Sequence, residues 1–540
     1  MSTATSVPVW TGTQKLAFRI AFVFFLSLSV PNSAEWYNTV IHIDWTKLNY
    51  RDLYDIARFG SGINWFGERL FGSTLLGYAN WIITLLISIG AGVLWTAVVR
   101  WRGTERREYR GLYYWLRVIV RYRAGIGIIG FGFTKLLPVQ MPYPGLGLLN
   151  TQFGDLTAQK IFWLSVGIVP WYQVFAGVVE VLAGALLFFR RTTTLGSILL
   201  IGALGDIVYV NFAYDGGVHV YSSYFVLLAF FLLVDDLPRI YNLLIRERET
   251  HPHIYYPVLA SRWVRLTRYG LKGLTFFLFL GVLFWLQLVN FLYDPYKQPA
   301  VAGVKTLRGL YAVKEFRLNN KPIAFSPLDS VGWHEVEFEN WASLSYTVNR
   351  PTPLDLSNGG GAPQRDVSRN FEITGVAGGR RVFHYYADTV ERVLYLEDKY
   401  MAPERRGLVE GDREARAGGA AKGRGRRKGG SGSGSYDAGV EKGVKGRADS
   451  SWIPAAALAH IGKEVDQIDP RAASARRDRE YAQAKWEKRN RMILRYEAID
   501  NGDRVILSGV DERRDSVYIV LDRVHKNYAL TESSLQAGKY

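Results

Sequence analysis

Residues 175–213 read FAGVVEVLAGALLFFRRTTTLGSILLIGALGDIVYVNFA. Two apolar blocks are divided by Arg190-Arg191-Thr192-Thr193-Thr194. Each block approaches the roughly 20 residues that an α-helix needs to cross a bilayer core. Each holds one acid, Glu180 or Asp206. The pattern is that of a membrane helical hairpin, and it sets the class of the chain. Outward from it lie further blocks at Leu16–Val30, Gly77–Val99, Tyr113–Leu136, Val218–Val234 and Gly273–Tyr293. With Val166–Phe189 and Thr194–Ala213 they predict an all-α polytopic bundle of about seven transmembrane helices. The first block is short and carries Arg19. It is read as an uncleaved anchor in preference to a signal peptide.

Charge in the loops predicts the orientation. Short cytoplasmic loops hold an excess of Lys and Arg. Arg100–Arg110 reads RWRGTERREYR, the next loop on that side opens with Arg190-Arg191, and 235–272 carries RIYNLLIRERE and SRWVRLTR. The opposite loops are poor in both residues. The N-terminus is therefore expected in the cytoplasm, and the chain after Tyr293 in the periplasm. Much of the net charge of +17 over 540 residues is then topology charge and calls for no nucleic acid. With no Cys, the chain has no disulfide, thiol nucleophile or Cys-ligated cluster of its own. At 14% aromatic residues it is no disordered or collagenous chain.

Beyond the last apolar block the period changes to two. LYAVKEFRLNNKPIAF (310–325), WHEVEFENWASLSYTV (333–348), FEITGVAGGRRVFHYY (371–386), MILRYEAI (492–499), DRVILSGV (503–510), DSVYIVLDRV (515–524) and NYALT (527–531) read as strands. Asn319-Asn320 and Asn501-Gly502 are hairpin signals, and the turn before RRVFHYY is set by AGG. The expectation is an antiparallel sandwich or barrel built from both flanks of a basic, Gly-rich linker, with a polar helix over 470–491. The expected divisions are 1–112, two helices with an external loop; 113–236, a four-helix core; 237–272, a cytoplasmic loop; 273–293, the last helix; 294–403, the first part of the β-domain; 404–450, the linker; and 451–540, the helix and the rest of the β-domain.

Charged groups within membrane helices face the bundle and mark function or packing. Counting 1.5 Å per residue from the block ends puts Arg121, Glu180 and Asp206 at similar depths. The expectation is one buried network in which Arg121 bridges the two carboxylates and Arg117 joins one turn away. It is read either as a proton-handling or ligand site or as a structural ion pair. A second cluster is expected at the outer rim: Lys135, Gln140, Asn211, Asp215 and His219. It serves either to bind an anionic headgroup or transfer a proton, or only to anchor the interface and cap loops. His219 has no nearby second His, and the HPH at 251–253 is a weak metal pattern, so no metal site is expected. No catalytic residue is assigned.

Three stretches carry a family resemblance: RAGIGIIGFGFTKLLPVQ (123–140), FAGVVEVLAGALLFFRRTTTLG (175–196) and VNFAYDGGVHVYSS (210–223). Through them Arg117–Val234 resembles the DoxX family of small four-helix membrane proteins. The signature is a Gly-rich helix ending in Lys135 and a Glu180-bearing helix ending in Arg190-Arg191-Thr192. FRLNNKPIAFSPLD (316–329) and VYIVLDRV (517–524) resemble the periplasmic β-rich tail of longer, Bacteroidota-type DoxX-like proteins. The resemblance implies a membrane subunit that binds a quinone or lipid-like molecule and supports envelope redox chemistry beside other protein subunits. The competing reading is a non-catalytic scaffold or accessory subunit of a multi-protein envelope complex, which accounts for the bulky outer domain and the absence of cofactor motifs. More distantly, the helical core resembles vitamin K-dependent carboxylase-like proteins. No covalent cofactor is implied.

Overall fold

The computed structural model describes residues 9–59, 76–250, 255, 257, 261–357, 359, 364–400, 452–471 and 489–532. The 404–450 linker, His251, His253 and most of the helix expected over 470–491 lie outside the described residues. The helices are α1 (Gly12–Ser29), α2 (Ala34–Ile41), α3 (Tyr50–Ala57), α4 (Leu76–Trp101), α5 (Arg110–Leu136) and α6 (Leu146–Leu149). They continue as α7 (Ala158–Gly167), α8 (Pro170–Leu187), α9 (Thr193–Ala213), α10 (His219–Leu233), α11 (Leu237–Leu244) and α12 (Arg262–Tyr293).

Among the described residues five helical stretches are long and apolar enough to cross a membrane: α4, α8, α9, α10 continued through α11, and α12. Helices α1 and α5 fill the other two expected blocks, but α1 carries Lys15 and Arg19, and α5 carries Arg117, Arg121, Arg123 and Lys135. Arg19 is fully buried and donates to Thr96 Oγ1 at 2.6 Å and to the Tyr109 hydroxyl at 2.7 Å, which holds α1 to α4 and to the start of α5.

Helices α5 and α8 lie antiparallel at close range because glycines line both faces. A Cβ on Gly177 would fall 2.2 Å from the Leu136 backbone nitrogen. One on Gly132 would fall 2.6 Å from a Val181 methyl, and one on Gly184 would fall 3.0 Å from the Gly125 carbonyl. The glycines of GIGIIGFGFTK (125–135) thus admit the close approach of the two helices. Around this pair, Leu116, Val120, Leu187, Leu200, Tyr224, Phe225 and Leu228 form the bundle core with Leu28 of α1.

The β-domain is a closed antiparallel barrel. Its strands are β1 (Gly309–Leu318), β2 (Lys321–Ile323), β3 (Glu335–Phe338), β4 (Ser343–Thr347), β5 (Arg380–Asp388), β6 (Val393–Asp398), β7 (Arg491–Ile499), β8 (Arg504–Val510) and β9 (Ser516–Val524). The order β1-β3-β4-β5-β6-β7-β8-β9 closes by pairing β9 with β1, while β2 hangs from β1 as a hairpin arm. β6 pairs directly with β7, so the two flanks of the linker form one sheet. A bulge between Val313 and Glu315 of β1 explains a slip in the sequence alternation. Tyr311 and Val313 precede the extra residue, Phe316 and Leu318 follow it, and all four join the interior. Large side chains fill that interior, including a stack of Trp333 on Tyr346 at 3.8 Å between centroids. Both hairpin signals hold. Asn319 and Asn320 take φ of 50° and 61°, and Asn501 and Gly502 take 58° and 93°.

Two strand assignments are corrected. In FEITGV residues 371–373 are turn, and Thr374 and Val376 make only isolated bridges, because its groups are engaged elsewhere: Lys160 takes the Phe371 carbonyl, and the Glu372 carboxylate takes Trp341 Nε1 and Lys399. NYALT ends in the short helix Ala529–Glu532, and the Tyr528 hydroxyl reaches Asn150 instead of a neighbouring strand.

Candidate functional site

The expected network of Arg117, Arg121, Glu180 and Asp206 does not assemble. Gly132 of α5 lies level with Glu180, and the cradle formed by Gly125 and Gly184 sets that register. Arg121 is eleven residues back along α5, about 16 Å away at 1.5 Å per residue. Helix α5 extends well past the end of α8, so counting depth from the apolar block ends misplaced the two. Arg121 donates to Thr193 Oγ1 at 3.4 Å instead. Arg117 closes the end of α10, donating to the Leu232 carbonyl at 2.8 Å and to Asp235 at 3.1 Å. Asp206 faces outward from α9. Replacing Asp206 by Leu should leave the detergent-solubilised protein at least as stable, since a carboxylate facing lipid costs about 2.5–3.5 kcal/mol on insertion scales. A large fall in the unfolding midpoint would show that Asp206 has a structural partner.

Glu180 is instead paired with Lys135, which the sequence placed at the rim. Lys135 Nζ lies 2.7 Å from Oε1 and 2.9 Å from Oε2, so one ammonium engages both carboxylate oxygens. Glu180 is 1% exposed. The other rim residues go separate ways. Gln140 Oε1 accepts from Thr134 Oγ1 at 3.3 Å. Asn211 bridges the α9–α10 turn, donating to Ile207 O at 2.7 Å and accepting from Val218 N at 3.4 Å. Asp215 is exposed at positive φ. His219 stacks with Phe212 and Tyr78.

Above the Lys135–Glu180 pair a polar seam joins the bundle to the barrel. Gln173 of α8 clamps the turn after α5, accepting from Met141 N and donating to Met141 O at 3.0 and 3.1 Å. A few residues on, the Glu339 carboxylate at the end of β3 accepts the N–H groups of Leu146 and Gly147 at 2.9 and 2.8 Å. Arg380 reaches from β5 to Thr151 Oγ1 and Ser345 Oγ, both at 2.9 Å. The outer face of β3–β4–β5 is thus polar yet buried, with Glu337, Glu339, Ser343, Ser345 and His384 all 2% exposed or less. Lys160 of α7 caps the Phe371 carbonyl and sits over its ring, and Lys297 lies over Trp163 at 4.4 Å. Arg369, wholly buried, donates to Asp294 at 2.6 Å and to the carbonyls of Pro295 and Gln298, which fixes the connection between α12 and β1.

Burial tunes this seam. Burial, and then the neighbouring Glu372, raise the Glu339 carboxyl from 4.5 to about 7. Burial lowers Lys297 to about 7 and His384 to about 4. Burial, with Lys297 next to it, holds Lys160 well below the usual lysine range. A raised carboxyl binds its proton more tightly when folded. Its contribution is therefore fully present below about 4.5 and is lost as pH rises through about 7. The stability of the wild type relative to Glu339→Gln should fall over that window by up to about 3 kcal/mol. His384 drives the opposite slope but is common to both proteins and cancels. Unfolding curves of the pair across pH check this, and a difference that does not vary with pH contradicts it.

Sequence reasoning passed over Arg369, Glu339 and Arg123. Arg123 stands two residues from Arg121, about 200° around the helix, so the two cannot share a face. The legible signal was Gly127, one turn on from Arg123, where a Cβ would lie 2.6 Å from Arg123 Nη1.

No family model matches the chain, and no solved structure matches it. The chain is similar to uncharacterized protein YwoB of Bacillus subtilis (strain 168), at 31% identity over 94 residues. The match covers 16% of this chain and 61% of that protein, so the chain spans less than two thirds of the relative's length.

Proposed function

We propose that the chain is a DoxX-like inner-membrane protein of bacteria that acts as a non-catalytic scaffold or accessory subunit of an envelope complex. In this reading seven helices span the membrane, α1 and α5 included. The N-terminus is cytoplasmic and the barrel periplasmic, as the Arg-rich loops at 100–110 and 235–272 favour. The observation that carries the reading is the Lys135–Glu180 pair, in which both carboxylate oxygens are engaged by one buried ammonium. A carboxylate so held serves packing rather than proton transfer. The seam above it joins barrel and bundle, which suits a platform for partner subunits. Lipids and other protein chains are the partners, with no nucleic acid.

A second reading, a subunit that binds a quinone or lipid-like molecule in redox chemistry, draws support from the aromatic lining of Tyr54, Phe131, Tyr221 and Phe225 inside the bundle. Affinity purification of the wild type and of Glu180→Gln separates the two. The scaffold reading expects the same partner chains with both proteins and no lost activity in cells. Loss of a redox activity with the partners still bound would overturn it in favour of the second.

A further inference from the structure

Helix α3 begins beside Tyr296, whose ring stacks on Tyr50, and runs along α5 until the Ala57 carbonyl meets Arg123. Arg123 is the fourteenth of the 27 residues of α5, about 20 Å from either end of that helix. It is 5% exposed and donates through Nη1 to Ala57 O at 2.7 Å. Its guanidinium lies over the rings of Phe59 at 3.9 Å and Tyr224 at 5.1 Å. Arg58, the C-cap of α3, lies over Phe131 at 5.5 Å and Tyr221 at 5.3 Å. Tyr221 and Tyr224 are 6.1 Å apart, so both guanidiniums border one aromatic cluster.

Among the described residues, Nε and Nη2 of Arg123, Nε of Arg58 and the Tyr221 hydroxyl are buried and complete no hydrogen bond of ordinary geometry, the Tyr221 and Tyr224 hydroxyls being the groups that face the Arg123 guanidinium. Nε and Nη2 form the guanidinium edge that grips two oxygens at once. Among the described residues neither arginine has a carboxylate partner. Asp55 is taken by Arg51 at 2.9 Å, and Asp52 accepts the Asn49 N–H at the opposite end of α3. The C-terminal end of α3 supplies roughly half a negative charge against two full positive ones. Buried polar donors without partners point to a bound group that completes them.

We propose that Arg58, Arg123 and Tyr221 form a binding site for a phosphate monoester group at the head of an amphiphile lodged in the bundle. The open guanidinium edge of Arg123, the neighbouring donors of Arg58 and Tyr221, and an excess of about 1.5 positive charges match such a group, which carries about −1.5 to −2 at neutral pH. A carboxylate brings one charge and two oxygens and leaves part of the excess standing. The depth along α5 and the surrounding rings favour a ligand with an apolar body over a free ion. The inference is independent of the scaffold reading.

The test uses the full chain in a neutral detergent, with thermal unfolding followed by tryptophan fluorescence. Dioctanoyl phosphatidate, inorganic phosphate and dioctanoyl phosphatidylcholine are titrated separately. The expected result is a saturable rise in midpoint with phosphatidate and none with phosphatidylcholine. Arg58→Gln should weaken the apparent affinity about tenfold or more. Tyr221→Phe keeps the ring and the charges and loses only the hydroxyl. It should weaken affinity severalfold, and it decides the matter if Arg58→Gln does not fold. An equal response to inorganic phosphate supports the same site with a free anion as its source. The proposal is overturned if phosphatidylcholine acts like phosphatidate, if no titrant gives a saturable response, or if the folded variants respond as the wild type does.

Discussion

Replacing Lys135 by Met should lower the stability of the solubilised protein by about 3–5 kcal/mol, because it leaves the Glu180 carboxylate buried and unpaired. Glu180 is 1% exposed, and Lys135 holds both of its oxygens. Among the described residues, Arg121, the cation that the sequence assigned to Glu180, is spent on Thr193 farther along α5. The double variant Lys135→Met/Glu180→Leu should recover most of the loss, as apolar replacements of buried ion pairs often do. Reversible unfolding in mixed micelles measures both. If the pair only packs α5 against α8, the single variant falls and the double variant returns. A double variant as unstable as the single one would mean that the site needs its charges for more than mutual neutralisation.

The second large effect is expected at Arg369. Its guanidinium is wholly buried and pairs with Asp294, with Asp366 at 3.5 Å. Asp366 also accepts the N–H groups of Ala300 and Val301 at 2.8–3.1 Å, so the whole connection from α12 to the barrel converges on one cation. Arg369→Ala removes the cation that two buried carboxylates share and should cost about 3–5 kcal/mol. Lys should not rescue it, because one ammonium cannot span the carboxylate and the two carbonyls that the planar fork reaches. Hydrogen exchange should show faster exchange over 294–304 and an unchanged barrel interior. Loss of protection throughout β1–β9 would mean instead that the barrel depends on its seat.

Much of this fold was legible because its signals are local. The apolar blocks became helices at the expected places, with Pro170 setting where α8 begins. The Asn319-Asn320 and Asn501-Gly502 turns were readable because those residues accept positive φ. The closing pair β1–β9 was not, since it joins Leu310 to Val524 and no local pattern encodes such a contact. The site failed for a related reason. Which cation reaches Glu180 depends on the offset of α5 against α8, and contacts such as that of Gly177 with Leu136 fix it. Apolar block ends carry no such offset. FEITGV alternates like a strand, yet its Glu372 is claimed by Trp341 and Lys399 across the seam.

The scaffold reading meets its most direct test in a native mass spectrum of the intact particle extracted in a mild detergent. It predicts this chain together with other protein chains in a fixed ratio, whether or not a lipid-sized adduct is also bound. A particle holding this chain alone, with an adduct that fragments to a quinone, would contradict it and turn attention to redox turnover.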